Sequence, residues 1–309
     1  MPNTAQRRVI DPILSTVVQS YQHPEHVGLN LFPRVTVRTS GGKVIEFGRE
    51  SFRLYNTARA PGAATRRMTT GYEGKPFALE NHALDALVPR EHLREAEEVP
   101  GIDLATESTN DVMSAMSLYL EYQQATMARD ANNYDAANKV ALSGADRWGD
   151  YATSDPIGDV EAARNAVRSK VGLYPNVLLL GAPVFDQLKH HPTIVDKIKH
   201  TQTGVLTEDL LANIFSIGKV AVGKAVALGD DDTQFDIWGK DAILAYVPTQ
   251  ITGVRQPSYG YTYTMDGHPI VERPYWDNTH KSWVYGMAYE RAAVLSGIES
   301  GFLIQTAVA

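Results

Sequence analysis

The stretch Asp103–Tyr134, DLATESTNDVMSAMSLYLEYQQATMARDANNY, decides how the rest of the chain is read. It contains neither Gly nor Pro. Val112, Met116, Tyr119, Leu120, Met127, Ala131 and Tyr134 recur at mostly three- and four-residue steps, which puts them on one helical face. Asp103 and Thr106 are candidate N-caps, and Glu107 and Asp111 bring negative charge to the end where the helix dipole favours it. At the rise of an α-helix the spacing predicts a rod of roughly 45 Å, well beyond the usual few turns. Such a helix with one apolar face reads as a beam on which other elements hang; an ordinary core helix of a globular enzyme is the alternative.

Composition narrows the classes. The 309 residues suffice for one large domain or two smaller ones, and 43% hydrophobic content supports a sizeable core. Cysteine is absent, which excludes disulfides, Cys-ligated zinc and thiol catalysis and suits assembly in a reducing cytoplasm. The first residues, MPNTAQRRVIDPIL, show neither the apolar segment nor the small-residue cleavage site of a secretory signal, so none is expected. No apolar run approaches the length of a membrane span. A formal net charge of −7 does not suit tight coating of a polyanion, so any nucleic-acid role would be containment or a local patch.

Outward from the helix, residues 1–33 read as an extended arm with one short helix near Ile13–Val18, interrupted by Pro24, Gly28 and Pro33. Residues 34–88 read as a long two-stranded excursion. Val35 and Val37 alternate with polar residues, Ser40-Gly41-Gly42 turns the chain, and Tyr72–Val88 resumes an extended pattern. The tip is expected near Ala60-Pro61-Gly62, with Arg59, Arg66 and Arg67 beside it. An isolated ribbon is marginal in water, and no intramolecular platform is evident. It therefore lies on a neighbouring subunit or is a mobile surface loop. Residues 89–100 are a charged lead into the beam. Beyond it the pattern predicts helices at Ile157–Val171, Val184–His190, Ile194–Lys199 and a Thr207-capped segment to Phe215. Strands are predicted at Val177–Leu180, Val220–Leu228, Ile243–Val247, Tyr261–Met265, Ile270–Tyr275, Trp283–Leu295 and Gly301–Val308. Helices and strands mix without strict alternation, so the class is α+β.

Each candidate chemical motif has a structural reading that fits better. Gly218–Ala225, GKVAVGKA, approaches a phosphate-binding loop, but Ala225 stands where Mg²⁺ needs a hydroxyl, and Val220 and Val222 favour a strand. Asp230, Asp232, Gln234, Asp236 and Asp241 have calcium-loop spacing, yet Phe235 occupies the required Gly position and Asp241 is too short for the bidentate ligand. His190, His191 and His200 lack a carboxylate at ligand spacing. No catalytic, cofactor-binding or metal-binding residue is expected, and an enzyme is not.

Several blocks together carry a family resemblance: LFPRVTV (31–37), RAPGAATRR (59–67), the beam ending in ARDANNY, SGADRWGDYATSDP (143–156), YPNVLLLGAPVFDQLKHHPTIVDKIKH (174–200) and IWGKDAILAYVP (237–248). With them, the chain resembles the major capsid proteins of tailed bacteriophages, which have the Hong Kong 97-type fold. The resemblance implies an N-terminal arm (1–33), an extended loop lying across the adjacent subunit (34–88), and a peripheral domain whose spine is the long helix (89–175). It further implies an axial domain (176–265) and a return to the peripheral domain (266–309). It implies inter-subunit contacts at Arg59, Ala60, Pro61, Gly62, Arg66 and Arg67, and a spine core of Val112, Met116, Leu120 and Met127. Hexamers and pentamers would build an icosahedral virion shell around double-stranded DNA in the bacterial host cytoplasm, with a portal and a decoration protein as further partners. The archetype carries a cleaved scaffolding segment ahead of its arm; this sequence starts near the arm, which implies a separate scaffolding protein. Lys43 and Lys75 are the lysines of the loop region and neither lies at the tip, so covalent cross-linking of subunits is not expected. A cellular nanocompartment of the encapsulin type and a nucleotide-binding enzyme are the alternatives.

Overall fold

The computed structural model describes residues 10–21, 23–45, 57–62, 64–65, 74–97, 103–199, 206–249 and 258–309. The spine is an α-helix, Leu104–Arg129, of 26 residues, roughly 39 Å long at the α-helical rise. Asp103 caps it, accepting from the amides of Ala105 and Thr106. It stops earlier than the sequence pattern indicates because Asp130 is extended and its carboxylate accepts from the Asn132 amide, starting a separate tight turn at Ala131–Asn133. A carboxylate at a helix C-terminus also opposes the dipole.

The buried face of the spine is Thr109, Val112, Met113, Met116, Ser117, Leu120, Glu121, Gln124, Ala125 and Ala128. Met127 is half-buried against the second core cluster. Tyr119, expected on this face, is 51% exposed and belongs to the opposite side.

The helix lies across two sheets. Among the described residues one is seven-stranded: Ile10–Asp11, Arg34–Val37, Glu80–Pro89, Gly260–Met265, Ile270–Glu272, Tyr275–Asp277 and Ser282–Leu295. The last strand is its axis, pairing antiparallel with Glu80–Pro89 along ten residues and with Gly260–Met265 near its own end. The other sheet is five-stranded: Lys139–Ala141, Val177–Gly181, Lys219–Gly223, Ala242–Ala245 and Gly301–Gln305. The amino half of the spine (Val112, Met113, Met116) packs with Val88, Tyr285, Met287 and Tyr289 of the first sheet. The carboxyl half (Ala125, Ala128) packs with Val177, Leu179, Ile243 and Leu303 of the second. The opposite face of the second sheet is covered by the helix Pro156–Val171, which buries Val160, Ala163 and Val167.

Several expectations shift. Arg34–Val37 is not part of a free excursion; it pairs in parallel with Gly260–Met265 inside the large sheet. The ribbon that is described joins Gly41–Ile45 to Gly74–Ala78. Its root has an intramolecular platform after all, since Phe77 stacks on Tyr263 with ring centroids 4.3 Å apart. The charged lead contains a helix, Arg90–Glu97. Lys219–Gly223 and Val226–Leu228 are two strands, as are Ile270–Glu272 and Tyr275–Asp277. Strand pairing also crosses the boundary expected at residue 265: Gly301–Gln305 joins the sheet of Val177–Gly181, and Gly260–Met265 joins that of Ser282–Leu295. Both shifts follow from hydrogen-bonding partners distant in sequence, which periodicity does not reveal.

Candidate assembly surfaces

The first described helix of the arm is fastened to the spine. Asp11 caps the helix Pro12–Ser20 by accepting from the amides of Ile13 and Leu14, and Leu14 and Val18 enter the core with the spine. The chain then makes a tight turn, Gly28–Asn30, directly against the helix. Glu121, 2% exposed, accepts from the Val27 amide at 2.9 Å, the Gly28 amide at 2.9 and 3.0 Å, and Trp238 Nε1 at 2.6 Å. One buried carboxylate thus joins arm, spine and the loop after the β-hairpin of residues 226–236. Burial raises its pKa although these donors oppose that shift. Gly28 is required here by close approach, since a Cβ would overlap Gln124 Oε1 and come within 2.8 Å of Glu121 Oε2. Leu31 and Phe32 follow, both fully buried. Beside the turn His26 stacks on His23, and burial with the neighbouring His23 holds His26 down at about 4.

At its carboxyl end the spine is tied by polar groups. Arg129 Nε donates to Asp241 at 2.6 Å and Nη1 to the Ile237 carbonyl at 2.9 Å. Tyr134 and Asn133 donate to the last carbonyls, those of Ala128 and Met127. Asp241 also accepts from the Thr306 amide, so this member of the calcium-like spacing is committed to a structural role. Within Gly218–Ala225, Lys219–Gly223 likewise forms a largely buried strand parallel to Val177–Gly181 rather than a phosphate cradle. His191 is fully buried between Ser154 and Thr193, and His200 lies outside the described residues.

The outward face of the spine presents Glu107, Asp111, Ala115, Tyr119, Tyr122 and Thr126. Its two tyrosines lie in a line of ring contacts: His82 to Tyr119 at 5.7 Å, Tyr119 to Tyr122 at 6.5 Å, Tyr122 to Phe235 at 6.1 Å. Arg59, Ala60, Pro61 and Gly62, expected at the ribbon tip, are exposed; Gly62 adopts a φ of +80°, and Arg59 donates to Thr65 at 3.1 Å. Arg66 and Arg67 lie outside the described residues, as does the Lys75 side chain; Lys43 is exposed. The spine residues Val112, Met116 and Leu120 are 6%, 5% and 4% exposed, so they serve the interior and not a contact surface.

Residues 119–294, more than half of the chain, match the model of a family described as phage major capsid protein E. The chain belongs to that family. A relative within it, the major capsid protein of Burkholderia phage BcepMu, is 37% identical over 277 residues, 88% of this chain and 89% of the relative. A crystal structure of a phage-related protein from Bordetella bronchiseptica is 42% identical, with a TM-score of 0.84 over 98% of this chain and 99% of that one. The capsid of cyanophage P-SCSP1u, 8% identical with a TM-score of 0.60 over 93% and 89% of the two chains, shares the fold alone. The Hong Kong 97-type α+β fold expected from the sequence is the fold observed. A phage major capsid protein is a structural component of the virion capsid, and the beam, arm and ribbon are parts of that coat.

Proposed function

We propose that copies of this chain assemble as hexamers and pentamers into an icosahedral shell that encloses the double-stranded DNA of a tailed phage, without catalysis. The observation that carries this reading is the likeness to a phage major capsid protein over 88% of the chain. A net charge of −7 supports containment, because a basic lumen would hold incoming DNA on the wall. In this reading residues 1–33 and the ribbon of residues 41–78 reach neighbouring subunits, residues 89–175 with 266–309 form the peripheral part, and residues 176–265 approach the symmetry axes. Ring closure by identical chains requires a heterologous contact. The exposed tip Arg59–Gly62 supplies one side of it. A separate scaffolding protein, a portal and a decoration protein complete the assembly in the bacterial host cytoplasm, and the mature shell is held without isopeptide bonds.

The experiment is co-expression of the chain with candidate scaffold, followed by negative-stain microscopy and nuclease treatment of the purified particles. Icosahedral particles with nuclease-protected double-stranded DNA, after packaging, are expected. Shells that enclose a protein cargo and no nucleic acid would replace this reading by the nanocompartment. Arg59→Glu is expected to leave the subunit's circular dichroism unchanged and to reduce shell yield in sedimentation. Boiling in detergent is expected to release a single band near the monomer mass.

A further inference from the structure

Two guanidinium groups lie between the spine and the seven-stranded sheet without a carboxylate partner among the described residues. Arg291, toward the carboxyl end of Ser282–Leu295, is 1% exposed. Its Nη2 donates to the Met116 carbonyl of the spine at 3.0 Å, whereas its buried Nε and Nη1 have no partner. Arg34 sits on the second strand over and also keeps a buried Nε without a partner. Burial is the main cause holding Arg291 down at about 10, and Arg34 adds to it, so Arg291 is still charged at neutral pH. The Tyr289 ring, 5.1 Å from the guanidinium, offsets part of the cost. Buried charges are ordinarily paired, and orphaned buried donors point to a missing ion or water.

The nearby carboxylates are turned elsewhere. Glu80 stands opposite Arg291 in strand register, but its side chain is 73% exposed and faces His82 at 3.9 Å. Arg34 lines a cavity of about 240 Å³ between the arm turn and the spine, with His23, His26, Asn30 and Gln124; the Glu121 carboxylate is also in its wall, its oxygens engaged by Val27, Gly28 and Trp238. A water occupies about 30 Å³ of liquid, so the cavity admits a small anion with part of its hydration. Lys219 adds a further cation at this end, donating to Asn30 Oδ1 at 2.8 Å.

We propose that this cavity is an oxyanion site, in which Arg34 binds a phosphate or carboxylate group and Arg291, behind it, contributes the positive field. The group comes from free anion in solution or, if the shell reading above holds, from an acidic side chain of a neighbouring copy.

The test is isothermal titration of inorganic phosphate into the purified unassembled chain at constant ionic strength, with chloride as control, repeated on assembled shells. Saturable phosphate binding is expected in the unassembled chain, weakened at least tenfold in Arg34→Gln with the parent's circular dichroism and melting temperature retained. Glu80→Gln is expected to bind phosphate as well as or better than the parent. Uptake by shells as well as by free subunits assigns the site to a free anion. Uptake by free subunits that is lost in shells assigns it to a neighbour's carboxylate. Absence of saturable binding in both overturns the proposal, as does an Arg34→Gln variant that binds like the parent. A Glu80→Gln variant that melts lower and binds no phosphate would make Glu80 the counter-ion of Arg291 and also overturn it.

Discussion

The two ends of the spine helix are held by different physics. At the carboxyl end, Arg129–Asp241, Arg129–Ile237, Tyr134–Ala128 and Asn133–Met127 are side-chain hydrogen bonds that fix position and register. Lys139 adds a bond to the Ala131 carbonyl. At the amino end the polar contacts among the described residues are local: Asp103 with Ala105 and Thr106, and Thr109 with its own preceding turn. What joins that end to the sheet is apolar burial of Val112, Met113, Leu104 and Ala105. Apolar contact is strong but non-directional, so directional bonds set the register of the carboxyl end and side-chain packing sets that of the amino end.

The largest expected effect falls on the packing of the amino end. Met113→Asp places an unpaired carboxylate in the apolar core between spine and sheet, costing several kcal/mol. Insoluble protein without shells is expected; soluble protein assembling at parental yield would show that the buried face is assigned wrongly. Next comes the tied end. Arg129→Met leaves Asp241 buried without its cation, costing about 2–4 kcal/mol, below the fully buried range because Arg129 is 34% exposed. Chemical denaturation measures it, and a loss under about 1 kcal/mol would show that this end is held by packing alone.

A smaller effect is expected in the pH dependence at the arm–spine joint. His26 has a folded pKa of about 4 against 6.5. The unfolded chain therefore binds the proton more readily, and this group's contribution to stability falls as pH drops from 6.5 toward 4. Half-exposure reduces the effect to about 1 kcal/mol. Glu121, shifted upward, has the opposite slope: its contribution falls as pH rises above the usual carboxylate range. The quantity to read is therefore the difference between His26→Gln and parent melting curves, which should open below pH 6.5; parallel curves would discard the assignment. Smallest is the free end: Asp103→Ala removes a local cap, worth about 1 kcal/mol. It should lower the melting temperature slightly and leave shell yield intact. If it proves as costly as Arg129→Met, the contrast between the ends fails.

What the sequence made legible was local. Helix starts carrying an Asp or Thr cap, such as Asp103 and Thr207, could be read because the cap and its partners lie within three residues. The apolar strand Val177–Gly181 could be read from composition. Tyr119 misled because a tyrosine serves a wet face as readily as a dry one. The helix Arg90–Glu97 was hidden by the absence of an apolar period in REHLREAE. Glu121 and Gln124 gave no signal at all: Val27, Trp238 and Thr262, their partners, are each more than ninety residues away. The tip arginines were conspicuous in sequence, whereas Arg34 and Arg291 were not, since nothing in a strand pattern marks a guanidinium that will be left without an anion.

The return path of the ribbon has a mechanical consequence. Gly74–Ala78 runs on, with a break at Leu79, into Glu80–Pro89, which is zipped along ten residues to Ser282–Leu295, and Phe77 is clamped on Tyr263. A tug on the ribbon along its strands would load that ladder in shear, so that its backbone hydrogen bonds share the strain rather than opening one after another. Force spectroscopy with the handle at Gly62 should then show one cooperative rupture; a staircase of small ones would mean the ribbon peels. Load on the ribbon is thereby carried past its root and into the centre of its own seven-stranded sheet.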